Sequence, residues 1–172
     1  LRRMGVLDAA AAAELGRDPA TRKVLGSRGS RAVLVRTDGA GNLIELTVRY
    51  EAEQPEKTAT HFSRLVATPF NGRWITRIET APLSLESRLG SGTIRSSLFA
   101  ATDEARIPDN VATQLAEIFS SEIDFHRALR KGDTFSVMYE SAMADGEPVP
   151  WSQGTGRVLA AEFVNGGDTH QA

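Results

Sequence analysis

The sequence contains no cysteine among its 172 residues, so it forms no disulfide and has no thiolate for catalysis or metal binding. Aromatic residues make up only 6% of the chain, whereas hydrophobic residues as a whole reach an ordinary 41%. The core therefore has to be built mainly from leucine, valine, isoleucine and alanine. No apolar run approaches the roughly 20 residues that a membrane-spanning helix needs, so we expect no membrane span within these residues.

A net charge of one sign is missing as well. Lysine and arginine together number 20, aspartate and glutamate 22, and the formal net charge is −2. Proteins that attract nucleic acid or anionic lipid through their overall field need a positive excess. We therefore expect no nucleic-acid partner, and the basic run at residues 127–131 is too short to change that expectation.

Sequence motifs of catalysis are also absent. The G-x-S-x-G motif that presents a nucleophilic serine does not occur, and no pair of glycines has the strand-loop-helix setting of a phosphate-binding loop. Asp124 could orient the imidazole of His126 for acid-base chemistry. Residues two apart on a helix do not face each other, however, so a helix end or solvent exposure is the favoured explanation. We predict no catalytic residue in this chain.

The first eighty residues favour a small α+β domain. Asp8 is followed by alanines 9–13, which predicts a short helix because alanine has the best helix propensity. Asp18 and Pro19 suit the cap and first position of another. Alternating apolar residues on either side of turn sequences then predict two hairpins, with strands at 32–36 and 43–50, and at 61–68 and 73–80.

Residues 81–91 have the composition of a linker. They contain Pro82, Gly90 and three serines between two patterned regions. We therefore place a first domain at residues 1–80, a linker at 81–91 and a second domain at 92–172. The predicted class is α+β, with two small domains that each contain an antiparallel sheet and one or two helices.

The second domain carries the clearest helix of the sequence. Pro108 and Asp109 suit its start, because proline fits an entry position and the aspartate oxygen can accept the first free N–H groups. Apolar residues at i, i+4, i+7 and i+8 then share one face, which must be buried. That predicted buried face comprises Val111, Leu115, Ile118 and Phe119, extended by Ile123 and Phe125.

Strand patterns stand on both sides of this helix. After it, apolar residues alternate with Thr134, Ser136 and Met138, which predicts a half-buried strand with Phe135, Val137 and Tyr139 inside. Before it, residues 93–95 favour a short strand. Ser96 or Ser97 can then cap a short helix that runs to about residue 105.

The last strand pattern, at residues 157–164, leads to Asn165-Gly166, a strong hairpin signal. Only six residues follow it, so the returning arm of the hairpin is nearly absent. The chain also starts with Leu1 rather than methionine. We therefore expect a fragment that stops inside or just before a further structural unit and that follows an upstream segment able to target or anchor it.

Four stretches of the second domain resemble a known family. They are S-S-L-F-A-A at 96–101, I-F-S-S-E-I-D-F at 118–125, L-R-K-G-D-T-F-S-V-M-Y-E at 129–140 and A-A-E-F at 160–163. Together they resemble the second N-terminal domain of lysostaphin (LytM) type zinc endopeptidases of the cell envelope. Residues before 92 resemble the first N-terminal domain of that family less distinctively. The resemblance does not reach a catalytic domain.

The resemblance implies that the catalytic activity belongs to a part of the protein outside this chain. Members of the family cut peptide cross-links of bacterial peptidoglycan with one zinc ion, and the two small domains place the catalytic domain on peptidoglycan and can cover its groove. The expected partners are thus peptidoglycan and the catalytic domain of the same polypeptide, and the expected location is the periplasm or cell envelope. The rival interpretation is a stand-alone envelope adaptor that binds glycan or a protein.

A zinc site within the chain is not expected. The family takes its ligands from a histidine and an aspartate a few residues apart and from a His-x-His pair, with one open position for water. The only histidines, His61, His126 and His170, are far apart in sequence and form no such motif. Although they could meet in space, structural surface roles are favoured. We expect zinc, and any other cofactor, only in the catalytic domain.

Two tryptophans are the remaining candidates for a binding site, because amphipathic rings stack on sugars. Trp74 lies in an alternating strand pattern, which favours a place in the core. Trp151 lies in the loop 148–153, where a large apolar side chain requires a partner. Trp151 is therefore the candidate contact for a ligand or partner.

Overall fold

The computed structural model describes residues 8–125, 127–151 and 156–172, and their helices and strands form two compact units. Unit 1 comprises the described residues up to Ser84 together with Ala144–Trp151. Unit 2 comprises Leu85–Met143 and the described residues from 156 onward. Each unit contains helices and most of one antiparallel sheet, so the predicted α+β class is confirmed. No described helix is both long enough and apolar enough to cross a membrane.

Unit 1 contains two helices and a four-stranded antiparallel sheet in the order β1-β2-β3-β4. These elements are α1 (Ala9–Arg17), α2 (Pro19–Gly26), β1 (Ala32–Thr37), β2 (Leu43–Glu51), β3 (His61–Phe70) and β4 (Arg73–Pro82), with a 3₁₀ turn at Pro55–Lys57. Both predicted hairpins are confirmed, and their strands run slightly longer than expected.

Aspartate side chains cap the starts of both helices of unit 1, as predicted for Asp18. An Asp8 carboxylate oxygen accepts the Ala11 N–H at 2.8 Å, and an Asp18 oxygen accepts the Thr21 N–H at 2.7 Å. Apolar residues of both helices pack with alternate residues of the central strands. The members of this core include Leu15, Val24, Leu46, Val48 and Leu65.

The second sheet has the order β5-β6-β8-β9, with the two-residue strand β7 paired to β6. Its strands are β5 (Ser84–Thr93), β6 (Thr134–Ala144), β7 (Glu147–Pro148), β8 (Val158–Asn165) and β9 (Asp168–Gln171), and the helices of unit 2 are α3 (Leu98–Glu104) and α4 (Asp109–Ile118). Ser97 caps α3 by accepting the Ala100 N–H at 3.1 Å.

The core of unit 2 is centred on Phe163, whose side chain is completely buried. The rings of Phe119, Phe125 and Phe135 surround it with centroid distances of 5.9, 5.5 and 6.2 Å. Such tilted and stacked ring pairs add stability beyond their buried area. Three of the few aromatic residues of the chain are thus concentrated around a fourth.

Two details of the predicted helix are wrong. Asp109 is the first residue of α4 and caps nothing, because Pro108 occupies the N-cap and no side chain bonds the first N–H groups. Ile118 is 37% exposed, whereas Val111, Leu115 and Phe119 are almost fully buried. Ile118 is the last residue of α4, and the spacing rule does not show whether another element covers the end of a helix.

The segment 81–91, predicted as a linker, has regular structure. It contains the end of β4 and most of β5, so the predicted short strand at 93–95 is wrong and only Thr93 is in a strand. Serines are tolerated because the side chains from Ser84 to Leu89 are exposed. The division between the two units falls at Ser84. That residues 81–91 separate two independently folding domains stays a prediction.

The hairpin predicted at Asn165-Gly166 forms, with Asn165 paired to Asp168. Gly166 and Gly167 have positive φ values of 61° and 101°, which glycine adopts most readily. The returning arm, predicted as nearly absent, is the four-residue strand β9.

Gly92 is expected to be required for the packing of β5. A Cβ atom at Gly92 would lie 2.7 Å from Cζ of the buried Phe135 ring and 3.3 Å from the Ala101 carbonyl oxygen. Gly92→Val should therefore destabilise unit 2 by about 1–3 kcal/mol through overpacking. Ser91→Ala, on the opposite side of the same strand, should leave the free energy of unfolding almost unchanged. Urea denaturation checks both, and equal effects would contradict the predicted packing.

Candidate functional site

The histidines do not form a metal site in the part of the chain that the structure describes. His61 bonds Thr60 through Nδ1 at 2.8 Å, and His170 lies with Nδ1 2.5 Å from a Glu122 carboxylate oxygen. His126 lies outside the described residues, so the acid-base arrangement with Asp124, which the sequence disfavours, is not tested. No group of three or more histidine, aspartate or glutamate side chains that could hold a metal occurs among the described residues.

The two tryptophans both lie in unit 1. Trp74 is half-buried and packs against the core of that unit. Trp151 is also half-buried, and its indole N–H has no hydrogen-bond partner among the described residues. Trp151 as a contact for a ligand or partner stays a prediction.

A charged cleft of about 300 Å³ lies on one face of the unit 1 sheet. This face is opposite the one that packs against the helices, because successive side chains of a strand point to opposite faces. Arg49, Arg64 and Arg77 line it from three neighbouring strands, with Arg49 directly opposite Arg64. The carboxylates that line the same cleft are Glu45, Glu79, Asp145 and Glu147.

Ion pairs connect most of these charges. Arg64 Nε lies 2.7 Å from one Glu79 oxygen, and Arg64 Nη1 lies 2.8 Å from Asp145 Oδ1. Arg77 Nε lies 2.5 Å from the other Glu79 oxygen. Hydrogen bonds from Arg64 and Arg77 lower the pKa of Glu79 below its usual value. Arg49 is paired as well, with Glu147, so each of the three guanidinium groups has a carboxylate partner within the cleft.

Arg49 fastens the segment 144–151 to the sheet of unit 1. Its side chain is only 5% exposed, donates to the Ala144 carbonyl, and lies 2.5 Å from a Glu147 carboxylate oxygen. Arg64 holds the same segment through Asp145. No sequence pattern indicates this arrangement, because the paired residues are nearly one hundred positions apart.

Arg49→Ala is expected to destabilise unit 1 by about 2–4 kcal/mol, since it leaves a buried carbonyl unpaired and opens a cavity. Amide exchange should show the largest loss of protection within residues 144–151. Arg36→Ala is the matched control, because Arg36 forms an exposed pair with Glu45 at 3.1 Å, and such pairs contribute only about 0–1 kcal/mol. Equal losses in the two variants would rule out a special role for Arg49.

A second surface lies on the side of the unit 2 sheet away from Phe163, which we call the outer face. Cross-strand pairing places Ser136 beside Glu162 and Glu162 beside Gln171, so these three form one row across β6, β8 and β9. Two open grooves, of about 460 and 480 Å³, meet on this face, and Ser136 and Glu162 line both. The outer face includes Leu89, Ser91, Thr93, Thr134, Ser136, Met138, Ala160, Glu162 and Gln171.

Glu162 lies at the centre of this face; the residue is half-buried, and its carboxylate makes an exposed hydrogen bond. Its Oε2 accepts the Gln171 side-chain N–H at 2.7 Å, and its Oε1 has no hydrogen-bond partner among the described residues. The alternation along 134–138 did indicate that Ser136 and Met138 face away from the core. No sequence signal distinguishes Glu162 from other surface carboxylates, because its central position depends on neighbours on two other strands.

Comparison with characterised proteins indicates what the chain is related to. No family model matches it. The chain is 25% identical over 119 residues to the peptidoglycan DD-endopeptidase ShyC of Vibrio cholerae, covering 69% of this chain and 27% of that protein. It is 28% identical over 141 residues to the DD-carboxypeptidase/endopeptidase Mpg of Neisseria meningitidis, covering 81% of this chain and 30% of that protein. The chain is therefore a relative of peptidoglycan endopeptidases and spans less than a third of their length.

Solved structures give a weaker likeness. The match to Helicobacter pylori Csd3 covers 92% of this chain and 38% of the Csd3 chain, with a TM-score of 0.47 and 11% identity. The match to a zinc-containing peptidase from Vibrio cholerae covers 97% of this chain and 52% of the peptidase chain, with a TM-score of 0.47 and 16% identity.

Proposed function

We propose that the chain is the non-catalytic N-terminal region of a bacterial peptidoglycan zinc endopeptidase. In this role it positions peptidoglycan for the catalytic domain and can cover the active site of that domain. The observation that carries the proposal is the alignment of 141 residues, most of this chain, with only 30% of a DD-carboxypeptidase/endopeptidase.

The chemistry of the chain supports a role in binding. The sequence has three histidines and no His-x-His pair, so a lysostaphin-type ligand set would have to come from another part of the polypeptide. Zinc is accordingly assigned to the catalytic domain. The periplasm or cell envelope is the proposed location, because peptidoglycan is found there.

Purified peptidoglycan sacculi test the proposal. We expect the 172-residue chain to sediment with sacculi, to release no peptide from them, and to retain no stoichiometric zinc after dialysis. Joining the chain to the catalytic domain should change the rate of sacculus hydrolysis relative to the catalytic domain alone. Peptide release by the chain itself, or one tightly held zinc per chain, would overturn the proposal. A gene that encodes no zinc-ligand motif beyond these residues would instead favour a stand-alone envelope adaptor.

A further inference from the structure

We infer that the outer face of unit 2 binds the peptide part of peptidoglycan, with an ammonium group of the peptide against Glu162. This inference rests on the proposed function and specifies which component of the polymer is bound and where. The occupant is a short, extended peptide with small apolar side chains and a free amino group, which is the chemistry of an uncross-linked stem peptide.

Charge identifies the group at the centre of the face. Among the described residues that line the two grooves, Glu162 is the only one with a charged side chain. The Gln171 side-chain N–H donates to one of the Glu162 oxygens at 2.7 Å, which orients the carboxylate, and the other oxygen has no hydrogen-bond partner among the described residues and can accept from a ligand. Hydrogen bonds between an ammonium group and a carboxylate are about twice as strong as neutral ones. A cationic group is therefore the favoured occupant of this point.

The side chains around Glu162 suit a peptide better than a sugar. Sugar sites usually present exposed aromatic faces, but the one aromatic residue among the described lining residues is Phe135, whose ring is buried in the core. Hydroxyls instead follow the strands, in the pairs Ser91 and Thr93 and Thr134 and Ser136. Alternate residues of a strand are about 6.6–6.8 Å apart, which is the repeat of an extended peptide. These hydroxyls can thus bond successive peptide groups.

One end of the face is apolar. Leu89 is 75% exposed and Met138 is 43% exposed, and both line the groove that contains Glu162 and Ala160. Exposed apolar side chains next to a groove commonly mark a binding surface. Methyl side chains of a peptide whose ammonium group lies at Glu162 would be placed against this end.

The test uses the isotope-labelled 172-residue chain and three probes: a stem tetrapeptide with a free amino group, the same peptide acetylated on that group, and a peptide-free glycan tetrasaccharide. In ¹H–¹⁵N spectra the free peptide should shift the amide signals of Ser136, Glu162 and Gln171. Acetylation and the Glu162→Gln substitution should each weaken binding about tenfold or more. Glu117→Gln, an exposed charge removal on α4, is the matched control and should leave affinity unchanged.

A second variant, Ser136→Trp, should block the groove sterically and weaken peptide binding. Thermal melts of the Glu162→Gln and Ser136→Trp variants check that both remain folded. Equal affinity for the free and acetylated peptides, or signal shifts on this face with the glycan alone, would overturn the inference. If wild-type and Glu162→Gln chains sediment equally with sacculi and the peptide shifts no signal on the outer face, the inference fails while the proposed function stands. If the wild-type chain does not sediment at all, the proposed function fails with it.

Discussion

Phe119→Ala should unfold or strongly loosen unit 2. The Phe119 side chain is 1% exposed, and its ring lies 5.9 Å from the central ring of Phe163. Removing a buried phenylalanine costs about 3–5 kcal/mol, through lost burial of apolar surface and the cavity left behind. A small domain has a total stability of only about 5–15 kcal/mol. The substitution therefore removes a large fraction of the stability of unit 2.

The neighbouring residue provides a matched control. Ile118 is adjacent in sequence but 37% exposed, so Ile118→Ala should cost well under half as much as Phe119→Ala. Amide exchange and urea denaturation of both variants measure this difference. In the Phe119 variant, protection should fall in β6 and remain in β2, if the two units fold independently. Equal loss in both strands would show one cooperative core, and a fully protected α4 would show that Phe119 contributes little.

The local architecture was predictable because it depends on residues close in sequence. Aspartate before alanine or proline defines the starts of α1 and α2, and a glycine-containing turn between alternating apolar residues defines each hairpin. The buried face of α4 follows from the same kind of reasoning for Val111, Leu115 and Phe119. The prediction that Ile118 is buried was wrong because periodicity does not show where a helix ends relative to the elements that cover it.

The less predictable features depend on residues that are distant in sequence. Residues 81–91 have a linker composition, yet they lie in β4 and β5, and Gly92 beside them lies against the buried Phe135 ring, which is more than forty positions away. The buried position of Arg49 depends on a carbonyl and a carboxylate from residues 144 and 147. The central position of Glu162 likewise depends on pairing with two other strands. No pattern within a window of ten or twenty residues contains that information.

Asp133 is another residue whose environment depends on partners that are distant in sequence. In the sequence, Gly132-Asp133 directly follows the basic run at residues 127–131, and no motif there indicates a structural role. In the structure the carboxylate is 6% exposed and joins the ends of two strands. It accepts three hydrogen bonds: from the Arg130 backbone N–H at 2.7 Å, the Asn165 side-chain amide at 2.7 Å, and the Gly166 backbone N–H at 2.9 Å.

Asp133→Asn should destabilise unit 2 by about 2–4 kcal/mol. Bonds from neutral donors to a charged acceptor contribute more than neutral pairs, and a buried donor left without an acceptor costs about 1–3 kcal/mol. The amide of asparagine has the shape of the carboxylate, but it places an NH₂ group where N–H donors already point. Asp168→Asn is the matched control, because Asp168 is exposed in the same hairpin and should have almost no effect on the unfolding free energy.

The same site predicts how the stability of unit 2 depends on pH. Burial raises the pKa of Asp133, but the hydrogen bonds from Gly166, Arg130 and Asn165 outweigh burial, so the pKa in the folded state lies below its usual value of 3.8. A carboxyl with a depressed pKa stabilises the fold fully above its unfolded pKa of about 3.9, and that stabilisation is lost as the pH falls through the folded-state value. Urea denaturation at about pH 7 and about pH 3 should therefore show a smaller difference between Asp133→Asn and wild type at the lower pH. A difference that stays constant, or grows on acidification, would mean that the ionised Asp133 carboxylate does not hold β8 and the 130–133 turn together.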